Sequence, residues 1–209
     1  MHERLMQSVD WVSKLALLNL LWLLFTTLGL FVFGFFPATV AMFATIRSFF
    51  REDISLPLMP TFWQHFKENF VRSIGYGLLT SLITLLGIID IIYIQEIAAL
   101  QSLILHMPIY LFLIFSCLTL LYLFPVFVHY DWPFFQTIKQ AFLIMLIHPI
   151  QTLIMVVSVG LSLYLMTYMP GIFFFFGGSF TALLISSITL HIFETIEERI
   201  KMRHASRNS

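Results

Sequence analysis

Long apolar runs separated by short polar connections dominate the chain. Four of them, at 73–94, 108–128, 150–168 and 172–193, approach the roughly 20 residues that a helix needs to cross a hydrocarbon core about 30 Å thick. Lipid supplies no hydrogen-bond partners, so a spanning segment is either a helix or a strand of a closed barrel. These runs lack the strict alternation of barrel strands and read as helices. The first run is harder. Residues 15–46 hold 32 positions without a charge, enough for a helix of about 48 Å, too long for one ordinary crossing. Gly29, Gly34 and Pro37 lie in its middle, where such residues break a helix, and predict a hairpin of two short spans at about 12–28 and 31–46.

The polar connections refine this picture. Arg47, Arg51, Lys67 and Arg72 fall in one of them, Lys139 in another, and Arg199, Lys201, Arg203 and Arg207 in the C-terminal tail. The segments at 95–102 and 169–171 have no Lys or Arg. Lys and Arg near span ends collect on the cytoplasmic side, so a six-span bundle places all eleven inside, with both termini cytoplasmic. A five-span alternative leaves Arg4 and Lys14 outside. Within the connection 47–72, Pro57 and Pro60 are expected to close an irregular stretch. Thr61 with Gln64 then resembles a capping box opening a separate amphipathic helix through Phe70. Phe62, Phe66 and Phe70 recur every four residues with Trp63 beside them, a face suited to headgroups or to the bundle. Residues 5–12 and 138–146 repeat the pattern more weakly, and the tail at 199–209 is expected to fray.

Composition agrees with an all-α, polytopic transmembrane bundle forming one membrane domain over 1–209. Hydrophobic residues make up 59% and charged ones 11%, too few charges to clothe a water-soluble fold of this size. Net charge is zero and the pI is near 7, which argues against nucleic acid as a partner. Arg4 and Lys14 ahead of an apolar stretch superficially suggest a secretion signal. The uncharged run 15–36, at 22 residues, exceeds the roughly 7 to 15 of a signal core, so no cleavage is expected. Cys117 is the single cysteine, which excludes an internal disulfide and any cysteine-based metal cluster; it reads as packing.

Candidate chemistry is sparse. Asp90, in Leu86-Gly87-Ile88-Ile89-Asp90-Ile91-Ile92-Tyr93, is an acid near the end of a span, where such groups line ion paths or simply reach the interface. Thr80, Thr84, Ser116, Thr119, Ser158 and Ser162 are the other polar groups that could join it in a path, with breaks expected near Pro108 and Pro149. His191, Glu194 and Glu198 share a helical face at spacings that can hold a metal, yet they lie where the last span leaves the membrane and read as a solvated face, with Glu197 placed to pair with Lys201. Gly178, Ala182 and Ser186 are spaced by four, as are Gly34 and Ala38; internal packing and a homodimer seam would both use such rows. Phosphate-binding, zinc-protease, dinucleotide and serine-hydrolase signatures are missing, so no enzyme activity, cofactor or metal is expected.

Several stretches together resemble the YesL family of small multi-pass membrane proteins of Gram-positive bacteria. They are Asn19-Leu20-Leu21-Trp22, Pro37-Ala38-Thr39 with Ala41, Phe62 and Phe66-Lys67 with Asn69-Phe70, Phe124-Pro125 expected to end the fourth span, and Lys139 with Ala141-Phe142 ahead of His148-Pro149. The family usually has glycine directly before the first of these prolines, where this chain has Phe36. The family's genes tend to lie beside sugar-binding proteins, carbohydrate permeases and polysaccharide-degrading enzymes. The resemblance therefore implies an accessory or regulatory role in carbohydrate uptake, in the cell membrane, with a sugar ABC permease or a second copy of the chain as partner. Phe62, Trp63, Phe66, Lys67, Asn69 and Phe70 are the expected docking residues, with a small-solute transporter or channel using Asp90 as the alternative.

Overall fold

The computed structural model describes residues 2–31, 33–96 and 100–207. Within these ranges the side chains of 2–8, 90, 91, 93–96, 100–106, 200 and 203–207 are outside the description. Seven helices follow in order: α1 (His2–Leu28), α2 (Phe35–Arg51), α3 (Leu58–Glu96), α4 (Leu100–His129), α5 (Phe134–Ile147), α6 (Pro149–Thr167) and α7 (Pro170–Arg207). The protein is all-α, and α1, α3, α4, α6 and α7 each contain a stretch long and apolar enough to cross a membrane.

The expected break in the first apolar run is present. Helix α1 ends at Leu28, and the chain reverses so that Trp11 meets Phe49 and Phe50 while Trp22 meets Phe35 and donates to the Thr39 hydroxyl at 3.0 Å. The turn uses its glycines for proximity. A Cβ on Gly34 would lie 2.5 Å from the Phe25 carbonyl oxygen, and one on Gly29 would lie 2.3 Å from the Gly34 Cα. The left-handed backbone falls instead on Leu30 and Phe31, at φ 54° and 61°. Helix α2, at 17 residues about 25 Å long, is shorter than the five candidate spans, and α1, α3, α4 and α7 enclose it. Its small residues Ala38, Ala41, Ala44 and Thr45 are buried and let those neighbours approach closely.

Four boundaries differ from the sequence reading. No separate surface helix covers 61–70, because that segment is the beginning of α3, which runs unbroken for 39 residues, about 58 Å. Pro60 sits in its first turn, where a missing N–H costs nothing, so the helix starts at Leu58 and the capping box does not form. Thr61 donates to the Pro57 carbonyl and Gln64 to Glu68. Helix α4 carries Pro108 and Pro125 inside it and continues to His129, so neither proline breaks the chain there. Helix α7 persists to Arg207 through the tail that was expected to fray, with Glu197 and Lys201 one turn apart. The weaker amphipathic stretch at 138–146 is α5, which begins four residues earlier, after Pro133.

One apolar cluster draws on all seven helices, including Leu18, Phe43, Phe62, Tyr122, Ile144, Met155 and Phe193. Polar clamps fix its outer members. The buried Asn19 amide donates to the Phe174 carbonyl at 2.7 Å and accepts from the Gly178 and Ser179 N–H groups at 2.9 and 3.0 Å, joining α1 to α7. A Cβ on Gly178 would lie 2.9 Å from that amide oxygen and 3.3 Å from Trp22. The row Gly178, Ala182 and Ser186 thus packs inside the bundle. Tyr122 of α4 and Thr152 of α6 share a 2.8 Å hydrogen bond. Phe36, standing where the YesL-like pattern has glycine, lays its ring over Gly77, whose missing side chain makes the room.

Replacing Asn19 by Leu leaves two α7 N–H groups without their partner and is expected to destabilise the bundle by about 1 to 3 kcal/mol. Gly178→Leu, which would displace both the Asn19 amide and the Trp22 ring, should be worse. Thermal unfolding of the purified protein in detergent checks both; unchanged midpoints would show that this clamp does not hold α1 to α7.

Candidate functional site

Charged side chains gather at one end of the bundle, where α2 ends, α3 begins and α4 and α7 emerge. Lys14 reaches this end from α1, donating to the Ile54 and Leu56 carbonyls and lying 5.0 Å from the Phe49 ring centroid. It ties down the loop 52–57, in which Asp53 accepts from the Ser55 N–H and hydroxyl; those bonds hold its carboxyl below the usual carboxylate range. Arg51 of α2, His129 of α4 and Glu197 of α7 form a triad: the His129 Nε2 lies 3.0 Å from Glu197 and 3.3 Å from Arg51, and Arg51 lies 3.8 Å from Glu197. The His129 ring is only 4% exposed and is wedged against Phe193 and Tyr130. Arg72 of α3 pairs with Asp131, donates to the Trp132 carbonyl, and stacks over Phe127 at 4.8 Å.

Between these contacts lies a half-open polar cavity of about 310 Å³. Arg47, His65, Asn69, Arg72, His129, Tyr130 and Asp131 line it, with Ala44, Phe127 and Val128 behind. His65 is held by a 3.2 Å contact to the Ser48 hydroxyl, and Asn69 donates to the His65 carbonyl. Arg47 differs from its neighbours because its Nε is buried without a hydrogen-bond partner. Burial, with Arg51 close by, disfavours its charged form.

The expected docking residues divide between inside and outside. Phe62 is fully buried and Phe66 nearly so, both packed at a tilt against Phe25 of α1 at 5.3 and 4.8 Å between ring centroids. Phe70 is half-buried against Phe66, and Asn69 lines the polar cavity. Lys67 faces outward, and Trp63 is 42% exposed, one side of its ring packed on Phe66 and Phe25 at 5.8 and 5.5 Å between centroids and the Lys67 ammonium 5.4 Å from its centroid, with Gln64 and Glu68 flanking them. Asp90 lies within α3, but its side chain is outside the described residues.

A second, larger cavity of about 610 Å³ opens between α3, α4 and α5. It is almost wholly apolar, and Thr80, Thr84, Ser116 and Thr119 come together on its walls beside Cys117. Ser158 and Ser162, on α6, are not part of it. His191, Glu194 and Glu198 are exposed, and Glu197 turns to His129 rather than pairing with Lys201 alone. Among the described residues, no three His, Cys, Asp or Glu side chains are grouped to hold a metal.

Sequence reasoning missed the triad and the polar cavity. The available signal was that Arg47, Arg51, Arg72, His129, Asp131 and Glu197 all follow or precede an apolar span on the same side of the predicted topology. Which of them would meet was not written in their spacing.

The inward turn of Phe66 has a measurable consequence. Phe66→Ala is expected to cost about 3 kcal/mol of stability, as for other buried aromatics, whereas Trp63→Ala, which removes a half-exposed ring from Phe66 and Phe25, should cost about half as much. Comparing their thermal midpoints in detergent checks this; equal losses would mean that both rings serve packing.

No solved structure matches the chain. Residues 15–91 match the family described as "Protein of unknown function, DUF624". Three Bacillus subtilis proteins, each described as uncharacterized, are similar over most of their length. YteU is 37% identical over 84% of this chain and 79% of its own, YesL 31% over 94% and 92%, and YesV 31% over 93% and 94%. With the resembling motifs spread over α1 to α6 and the relatives aligned nearly end to end, the chain belongs to the DUF624 family, together with YesL.

Proposed function

We propose that this multi-pass membrane protein is a non-enzymatic accessory partner of a carbohydrate uptake system, docking through its basic end. The observation that carries the reading is the outward strip Trp63–Lys67 on a helix whose inner face is locked by Phe62 and Phe66. An exposed aromatic held beside a cation on a rigid support is the composition of an interface anchor. The chain acts as one membrane unit of six crossings, with the basic end and both termini in the cytoplasm. Support comes from the antiparallel α1–α2 pair and from Lys14, Arg47, Arg51 and Arg72 lying at the same end, as the positive-inside tendency requires. The partner that fits is a sugar ABC permease, an expectation that rests on the YesL-like gene neighbourhoods.

A photo-crosslinking residue at position 63 should capture a permease subunit from cells grown on plant polysaccharide, and one at the lipid-facing position 85 should not. Trp63→Ala with Lys67→Glu should lower the recovered permease at least tenfold at unchanged protein level. Recovery of no permease from position 63 would end this reading.

The second reading is a solute path along the α3–α4 cavity, favoured by the four hydroxyl residues that meet there. Its walls are nearly all apolar, and the Thr119 hydroxyl is already bonded to the Phe115 carbonyl, which leaves little to replace a solute's hydration. In a proton-coupled version, cells carrying Asp90→Asn lose the growth advantage that the wild-type gene confers on the polysaccharide, with the protein still folded. Unaltered growth removes Asp90 from consideration.

A further inference from the structure

The polar cavity at the basic end carries a charge imbalance that its own side chains do not resolve. Two guanidinium groups, of Arg47 and Arg72, and the imidazoles of His65 and His129 line it against one carboxylate, Asp131. Asp131 is engaged by Arg72, and its side chain is 93% exposed at the mouth. Glu197, on the far side of His129, is engaged by that ring and by Arg51. Glu68 meets the outer edge of His65 at 3.9 Å. Arg47 makes no ion pair among the described residues, and its Nε–H is buried without an acceptor. A guanidinium does not give up its proton at any ordinary pH, so burial cannot be relieved by neutralisation as it can for lysine. Glu52 and Glu197 act on it only from a distance, and a half-buried guanidinium with no carboxylate in contact favours a counter-ion beside it.

We propose that this cavity is an anion site that takes a phosphate group, with Arg47 supplying the charge and the second amide N–H of Asn69 a neighbouring hydrogen bond. The planar guanidinium fork matches two phosphate oxygens at once. The volume, about 310 Å³, exceeds what a bare ion fills and is at the lower end for small-molecule pockets, so the phosphate is carried on a group of sugar or glycerol size. Arg47 follows the unbroken buried stretch 37–46 of α2, next to the apolar segments, so the same chemistry can come from a cytoplasmic phosphate ester or from an anionic lipid headgroup. This site stands apart from the Trp63–Lys67 strip and does not depend on docking there.

Thermal unfolding of the full-length protein separates the two sources. One arm adds glycerol 3-phosphate in a neutral detergent, with sodium chloride at matched ionic strength as control. The other compares nanodiscs of phosphatidylcholine with and without phosphatidylglycerol. The wild type should gain roughly 5 °C at saturation in one arm. A gain with glycerol 3-phosphate identifies a soluble ester, and a gain with phosphatidylglycerol alone identifies a headgroup. Arg47→Met should lose that response and, having shed an unpaired charge, be at least as stable as the wild type without any probe. Asn69→Asp, which puts a carboxylate into the cavity, should raise the midpoint without probe and abolish the response, and it carries the test if Arg47→Met does not fold. No gain in either arm, an undiminished response in Arg47→Met, or a lowered probe-free midpoint in Asn69→Asp would overturn the site.

Discussion

Inside a bilayer a polar group has nothing to bond to except the protein, and that scarcity organises this bundle. Most of its hydroxyls comply locally, as Thr39, Thr45, Thr181 and Thr189 each donate to a carbonyl of their own helix. Asn19 cannot, because an amide presents both donors and an acceptor. It is satisfied only by the backbone of α7, where it engages the carbonyl of Phe174 and the N–H of Gly178, two groups one helical turn apart. The glycine at 178 makes this approach possible. Helix α1 is thereby tied to α7, and α2 is enclosed by these two together with α3 and α4. Trp22, three residues on, closes the hairpin itself through Thr39.

The enclosure of α2 determines what happens where it ends. A helix surrounded by four others delivers Arg47 and Arg51 into a space already walled by α3, α4 and α7. Arg51 reaches the edge and finds Glu197 and His129; Arg47, one turn earlier, does not reach it. The length of α3 contributes equally. At about 58 Å it greatly exceeds the hydrocarbon thickness, and its first turns form a rigid post at the end of the bundle where the charged side chains gather. Phe62 and Phe66 hold that post against α1, which leaves Trp63 and Lys67 displayed without a flexible linker.

Membership in DUF624 carries no activity with it, so function has to be argued from these two features of the basic end. They ask for different ligands. The strip sets a half-exposed indole beside a cation and suits a protein surface, whereas the cavity beside it is concave and cationic and suits a small anion.

The membrane class, the helical content and the break near Gly34 were legible in the sequence because each follows from a one-dimensional quantity: run length, periodicity, or the local cost of glycine and proline in a helix. The YesL-like motifs, the polar groups at 80, 84, 116 and 119, and the amphipathic character of 61–70 were legible for the same reason. Helix ends were less so, since a proline in a first turn looks the same on paper as a proline that ends a loop, as Pro60 shows. The inward turn of Phe66, the meeting of Arg51 with His129 and Glu197, and the isolation of Arg47 depend on which helix stands beside which. Those pairings join residues far apart in the chain and are set by packing, for which hydropathy and spacing contain no term, so only the tertiary structure decided them.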